Sequence, residues 1–133
     1  MKQHSIHSSG GHRLAATQVP AQTSAERGTL IIVHGAFEHR GRHAALARYL
    51  AQQGYHVITF DLRGHGESSG RRMFLHDFRS YLDDLEAVQA QLAAHLPPPY
   101  FLLGHSMGGL VALRHRQLRP AEEPGQAGTV LSA

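Results

Sequence analysis

Four short apolar runs, each separated from the next by a helix-like stretch, restrict this chain to few architectures. Residues 29–33 (TLIIV), 56–60 (HVITF), 100–103 (YFLL) and 129–131 (TVL) have the length and β-branched or aromatic content of strands buried on both faces. Between the first two, Leu46, Tyr49 and Leu50 stand among alanines and predict a helix over 43–53, with Gly54 placed to end it in the left-handed conformation. Phe74, Phe78, Leu82, Leu85, Val88 and Leu92 recur every three to four residues and predict a helix over 76–95, N-capped by Asp77 and stopped by the prolines at 97–99. A third helix is expected over 107–118, before Pro120. Strands alternating with helices at this spacing form a mostly parallel sheet with helices on both faces, an α/β fold.

A chain of 133 residues with 41% hydrophobic and 17% charged residues can bury one core, about two-thirds of its unfolded surface. Residues 1–28 are polar apart from 14–19 (LAATQV) and form an N-terminal arm or edge strands, while residues 29–133 carry the alternating pattern. The helix stripe from Phe74 to Leu92 packs on the sheet, leaving Asp83, Asp84 and Glu86 as its solvated face. Twelve of the 13 basic residues are arginine, scattered from Arg13 to Arg119 with Arg71 and Arg72 the only adjacent pair. A net charge of +3 so dispersed lacks the single basic face of a nucleic-acid binder. With no cysteine, the chain has neither a thiolate nucleophile nor a disulfide framework. The first residues contain no apolar run of signal-peptide length, and nowhere do 18 apolar residues follow one another, so a cytoplasmic location is expected.

The most specific chemical signal is Gly104-His105-Ser106-Met107-Gly108, a G-x-S-x-G pentapeptide between an expected strand and an expected helix. A serine on so sharp a turn is held in a strained backbone, and flanking glycines avoid Cβ clashes where strand and helix nearly touch. Ser106 at the helix N-terminus would meet free backbone N–H groups that favour developing negative charge. His34-Gly35-Ala36-Phe37 directly follows the first buried run. The Ala36 N–H can there join that of Met107 as a second donor to a tetrahedral oxyanion.

Three segments, HGAFEHRGRH at 34–43, DLRGHGES at 61–68 and LGHSMGG at 103–109, resemble the oxyanion loop, a strand-end loop and the nucleophile elbow of the α/β-hydrolase superfamily. Their wording is most similar to the monoacylglycerol lipase and lysophospholipase branch, which shares its pattern with serine aminopeptidase-like hydrolases. The resemblance implies that the four apolar runs are strands three to six of an eight-stranded sheet. It implies Ser106 as nucleophile, Ala36 and Met107 as oxyanion hole, and His34, Gly35, Gly104, His105 and Gly108 as motif support. No metal or organic cofactor is needed, and the implied partner is a small acyl ester or lipid, met transiently at a lipid surface. In that fold the triad runs Ser, then Asp or Glu, then His. Only 27 residues follow Ser106, and His115, Glu122 and Glu123 lie in or just after the elbow helix rather than on later strand ends. The triad Asp and His and the acyl-pocket lid are therefore expected to be absent from this chain, which reads as the N-terminal half of a hydrolase.

Two other constellations invite chemistry. The order His34, Asp61, Ser106 imitates a His, Asp, Ser triad known on other folds, although the resemblance gives His34 and the 61–66 loop a supporting role, and His65 and His105 likewise. His39 and His43, four apart with Glu38 nearby, suggest a metal pair, against a reading as surface histidines. Arg63, Arg71 and Arg72 stand either solvated or ready to meet an anionic headgroup.

Overall fold

The computed structural model describes residues 1–119 and 126–133. Six strands form one sheet: β1 (Lys2–His7), β2 (Arg13–Val19), β3 (Gly28–Val33), β4 (Tyr55–Phe60), β5 (Tyr100–His105) and β6 (Gln126–Ser132), in spatial order β1-β2-β4-β3-β5-β6. The four apolar runs are β3 to β6, all parallel, and they form the inner and C-terminal part of the sheet. The segment expected as an arm or edge strand is a hairpin, β1 antiparallel to β2 and β2 antiparallel to β4. β1 escapes pattern reading because an edge strand needs few apolar residues, and only Ile6 of its six is buried.

Helices α1 (Ala44–Gln52), α2 (Arg79–Gln91) and α3 (Met107–Leu118) cover the sheet on both sides. Alternation along β3 divides the core. Leu30 and Ile32 pack with Val57 under Ala47 and Ala51 of α1, whereas Ile31 and Val33 pack with Leu82, Leu85 and Val88 of α2 and Val111 and Ala112 of α3. Of the residues that suggested α1, Leu46 and Tyr49 are exposed and Leu50 is half-buried against the core, while the small Ala47 and Ala51 lie on the sheet. Close helix-to-sheet approach favours alanine there. α1 ends as expected at Gly54, whose φ is 104°.

α2 is shorter than the expected 76–95 span. Phe74 precedes it, exposed, and a separate 3-10 turn follows at Ala93–His95. Asp77 does cap its start, accepting the Arg79 N–H at 2.9 Å. The solvated acidic face requires a correction, because Asp84 is fully buried. It accepts the Arg63 N–H at 3.0 Å and its Nη2–H at 2.8 Å, together with the Ser8 hydroxyl at 2.6 Å. The pair locks the loop after β4 to α2, so Arg63 is a buried structural partner and not a free cation at a site mouth. Among the described residues, no helix is long and apolar enough to cross a membrane.

Candidate active site

β3 and β5 are neighbours with Val33 opposite Gly104, so the chain leaves both at the same end of the sheet, one carrying Gly35 and Ala36 and the other Ser106. Ser106 sits between β5 and α3 with φ 55° and ψ −119°, a region that L-residues other than glycine rarely occupy. Its hydroxyl does not cap the helix that follows. The turn is held from both sides: Ser106 N–H donates to Ser132 O on β6 at 2.7 Å, and Ser106 O accepts the Gly109 N–H at 2.9 Å.

The glycines are required by space. A Cβ on Gly104 would lie 2.4 Å from Gly108 O, and one on Gly108 would lie 2.1 Å from Val33 O. The first turn of α3 therefore crosses the ends of β5 and β3 at backbone contact. A Cβ on Gly35 would stand 3.2 Å from the Ser106 Cβ, so the loop after β3 touches the serine turn. Among the described residues, neither the Ala36 nor the Met107 N–H is engaged by a backbone carbonyl. A groove of about 330 Å³ lies beside Ser106, lined by Gly109, Leu110, Leu113, Leu131 and Ser132.

A left-handed, non-glycine turn residue carries strain of about 1–3 kcal/mol. We therefore expect Ser106→Gly to raise the unfolding free energy of the chain by about 1 kcal/mol or more, measured by urea denaturation. No gain would mean that the serine conformation is unstrained.

His34 is buried and has both ring nitrogens occupied. Nδ1–H donates to Gly35 O at 2.7 Å, and Nε2 accepts the Leu62 N–H at 3.1 Å. Asp61, also buried, accepts from the Arg40 guanidinium, from Arg40 N–H at 2.6 Å and from Glu67 N–H at 2.9 Å. The His34, Asp61, Ser106 order is thus not a triad in space, since both side chains fasten loops. His65 lies beside His34 with ring centres 5.1 Å apart and planes tilted by 52°, and bonds Arg63 O at 3.1 Å. His105 bonds the Ser132 hydroxyl at 3.1 Å. His39 Nδ1 accepts the Gly41 N–H, whereas His43 faces Glu38 Oε1 at 3.4 Å, and the described residues include no group of three or more potential metal ligands. His115 is buried on α3 and close in charge to Glu86 and Arg119 rather than to Ser106. Glu122 and Glu123 lie outside the described residues.

Burial is the largest influence on His34 and pushes its imidazole below the ordinary value. The Gly35 carbonyl opposes this and His65 adds to it, while burial acts the same way on His115. The folded state thus prefers these rings neutral, and the unfolded chain binds the extra protons. Their stability contribution is full above an ordinary histidine pKa of about 6.5 and is lost as pH falls through it towards the lower folded values. We expect a lower urea midpoint at pH 5.5 than at pH 7.5. Equal midpoints would contradict the burial argument.

The profile described as serine aminopeptidase, S33 matches residues 24–133. The chain belongs to this family of α/β-hydrolases. Among its relatives, this S33 chain is 41% identical over 111 residues to human monoglyceride lipase, covering 82% of the chain and 35% of that protein. It is 38% identical over 104 residues to phospholipase YtpA of Bacillus subtilis, covering 78% and 39%. An esterase from Exiguobacterium antarcticum shares the fold with a TM-score of 0.80 at 23% identity, over 98% of the chain and 44% of the esterase. The S33 chain therefore spans well under half the length of these proteins. What the motifs did not reveal are the bonds by which Glu38, Arg40 and Asp84 fasten loops. Only the three-residue spacing of Glu38 from Gly35 offered a local signal, that of a turn.

Proposed function

We propose that these residues form the nucleophile and oxyanion half of a serine hydrolase acting on carboxylic esters of the monoacylglycerol or lysophospholipid type. The observation that carries the reading is Ser106 itself: a strained, exposed serine, uncapped, at the start of α3, in contact with a loop that offers the Ala36 N–H. Ser106 Oγ attacks the ester carbonyl, the carbonyl oxygen becomes an oxyanion met by the Ala36 and Met107 N–H groups, and collapse of that intermediate expels the alcohol to leave an acyl-serine that water later cleaves to the free acid. His34, Gly35, Gly104, His105 and Gly108 hold the two loops in register. Leu110, Leu113 and Leu131 along the groove favour an acyl chain over a polar group, and an apolar rim of this kind suits brief contact with a lipid surface.

Activation of Ser106 needs a histidine base and its carboxylate, and among the described residues no imidazole is bonded to the serine. That observation favours a second reading for the 133 residues by themselves, a catalytically silent unit with at most a binding role. The two separate on p-nitrophenyl acyl esters. The 133-residue chain is expected to turn over ester no faster than its Ser106→Ala variant. In a longer protein that joins these residues to an acid and a histidine, the same change is expected to lower kcat by about 10⁶-fold. Turnover in the longer protein that survives Ser106→Ala would overturn the nucleophile assignment.

A further inference from the structure

The loop after β3 contains a carboxylate that the serine chemistry does not call for. Glu38 Oε1 accepts the Gly35 N–H at 2.8 Å, and the Glu38 N–H closes a four-residue turn onto Gly35 O at 3.3 Å. The ladders of β3 end at Val33 on both sides, so no neighbouring strand partners this buried N–H. Phe37, third in the turn, has φ 62°, the conformation that glycine or asparagine usually supplies at that place. Its ring is 80% exposed, so no packing of its own holds it there. The restraint must come from the ends of the turn, where Glu38 accepts the Gly35 N–H and donates its own N–H to Gly35 O, an oxygen that the His34 ring also holds.

We propose that Glu38 is the positioning residue of the oxyanion-binding loop: its carboxylate pins the Gly35 peptide, keeps Phe37 left-handed and so presents the Ala36 N–H with no internal partner. The catalytic meaning of that N–H rests on the serine-hydrolase reading above. A bare carboxylate so near a developing oxyanion would oppose it, and this one has a partner on each oxygen, a hydrogen bond with the His43 ring at 3.4 Å on Oε1 and the Arg42 guanidinium at 3.8 Å on Oε2, with the His105 ring 5.8 Å from that of His43. The Gly35 N–H is the largest influence holding the Glu38 carboxyl below its usual range, followed among the stabilising ones by His43.

The test is amide NMR on the isotopically labelled 133-residue chain, a readout independent of ester turnover, so that loss of the hydrolase reading and loss of this one are separable. The Gly35 amide proton of the parent should shift with a single acid transition below the ordinary glutamate range. A flat profile overturns the proposal without any variant. In Glu38→Ala, hydrogen exchange at Gly35 should accelerate about tenfold or more while Ile31 and Ile32 in β3 stay protected. Glu38→Gln, which keeps an acceptor oxygen, should restore most of that protection, whereas adding Phe37→Gly to Glu38→Ala favours the turn without an acceptor for Gly35 and should protect only the residue-38 amide that bonds Gly35 O. Unchanged exchange at Gly35 in Glu38→Ala overturns the assignment. If Glu38→Ala also exposes Ile31 and Ile32, the glutamine variant decides: protection at Gly35 supports the role and its loss refutes it.

Discussion

Gly108→Ala is expected to destabilise the chain by about 3 kcal/mol or more and to separate the serine turn from the loop that carries Ala36. The added methyl carbon would lie 2.1 Å from Val33 O, 2.5 Å from His34 O and 2.6 Å from Val33 C, all backbone atoms of the central strand and its exit. No rotamer relieves such a contact, so either α3 lifts off β3 or the end of β3 moves. For a domain of this size the loss corresponds to a fall of about 10 °C in Tm. Gly128→Ala is the internal control, because among the described residues its Cβ would meet only the Phe101 ring at 3.8 Å, and it should change Tm by no more than about 2 °C. A Gly108→Ala chain as stable as the parent would show that α3 does not approach β3 at backbone contact.

Asp84→Ala is expected to cost about 3–5 kcal/mol, because it leaves the Arg63 guanidinium buried without its carboxylate. Asp84 is fully buried and Arg63 nearly so, and the arginine reaches Asp84 through its backbone N–H, Nε and Nη2. The Ser8 hydroxyl also bonds the carboxylate, so one side chain ties the β1–β2 connection, the loop after β4 and α2 together. In a folded state worth about 5–15 kcal/mol in total, the loss approaches unfolding. The Arg63→Met, Asp84→Leu double replacement should recover part of it, since an apolar pair dispenses with the desolvation of both charges while the residue-63 N–H loses its acceptor. Urea denaturation of the single and double variants measures this. A single variant within about 1 kcal/mol of the parent would mean that water reaches the pair.

The sequence carried β3 to β6 and the three helices because each buries enough apolar surface to imprint a local period, and because prolines and glycines mark their ends. It also carried the serine turn, whose flanking glycines follow from steric demands within five residues. β1 left little mark, since hydrogen bonds to β2 rather than buried side chains hold an edge strand. The helical period predicted α1 but not its buried face: proximity to the sheet selects Ala47 and Ala51 over the larger Leu46 and Tyr49.

Local pattern determined that a strand would hand a serine to a helix at Ser106 and that a second loop would follow Val33. Tertiary structure alone decided that Gly35 touches Ser106, that Asp84 is buried against Arg63 and not solvated, and that His34 and Asp61 are spent on loops. A charged residue looks the same in sequence whether it is hydrated or buried. Its fate is decided by which partners the folded chain brings within hydrogen-bonding distance, 21 positions away for Arg63 and Asp84 and also for Arg40 and Asp61, and no local period encodes a meeting at that range.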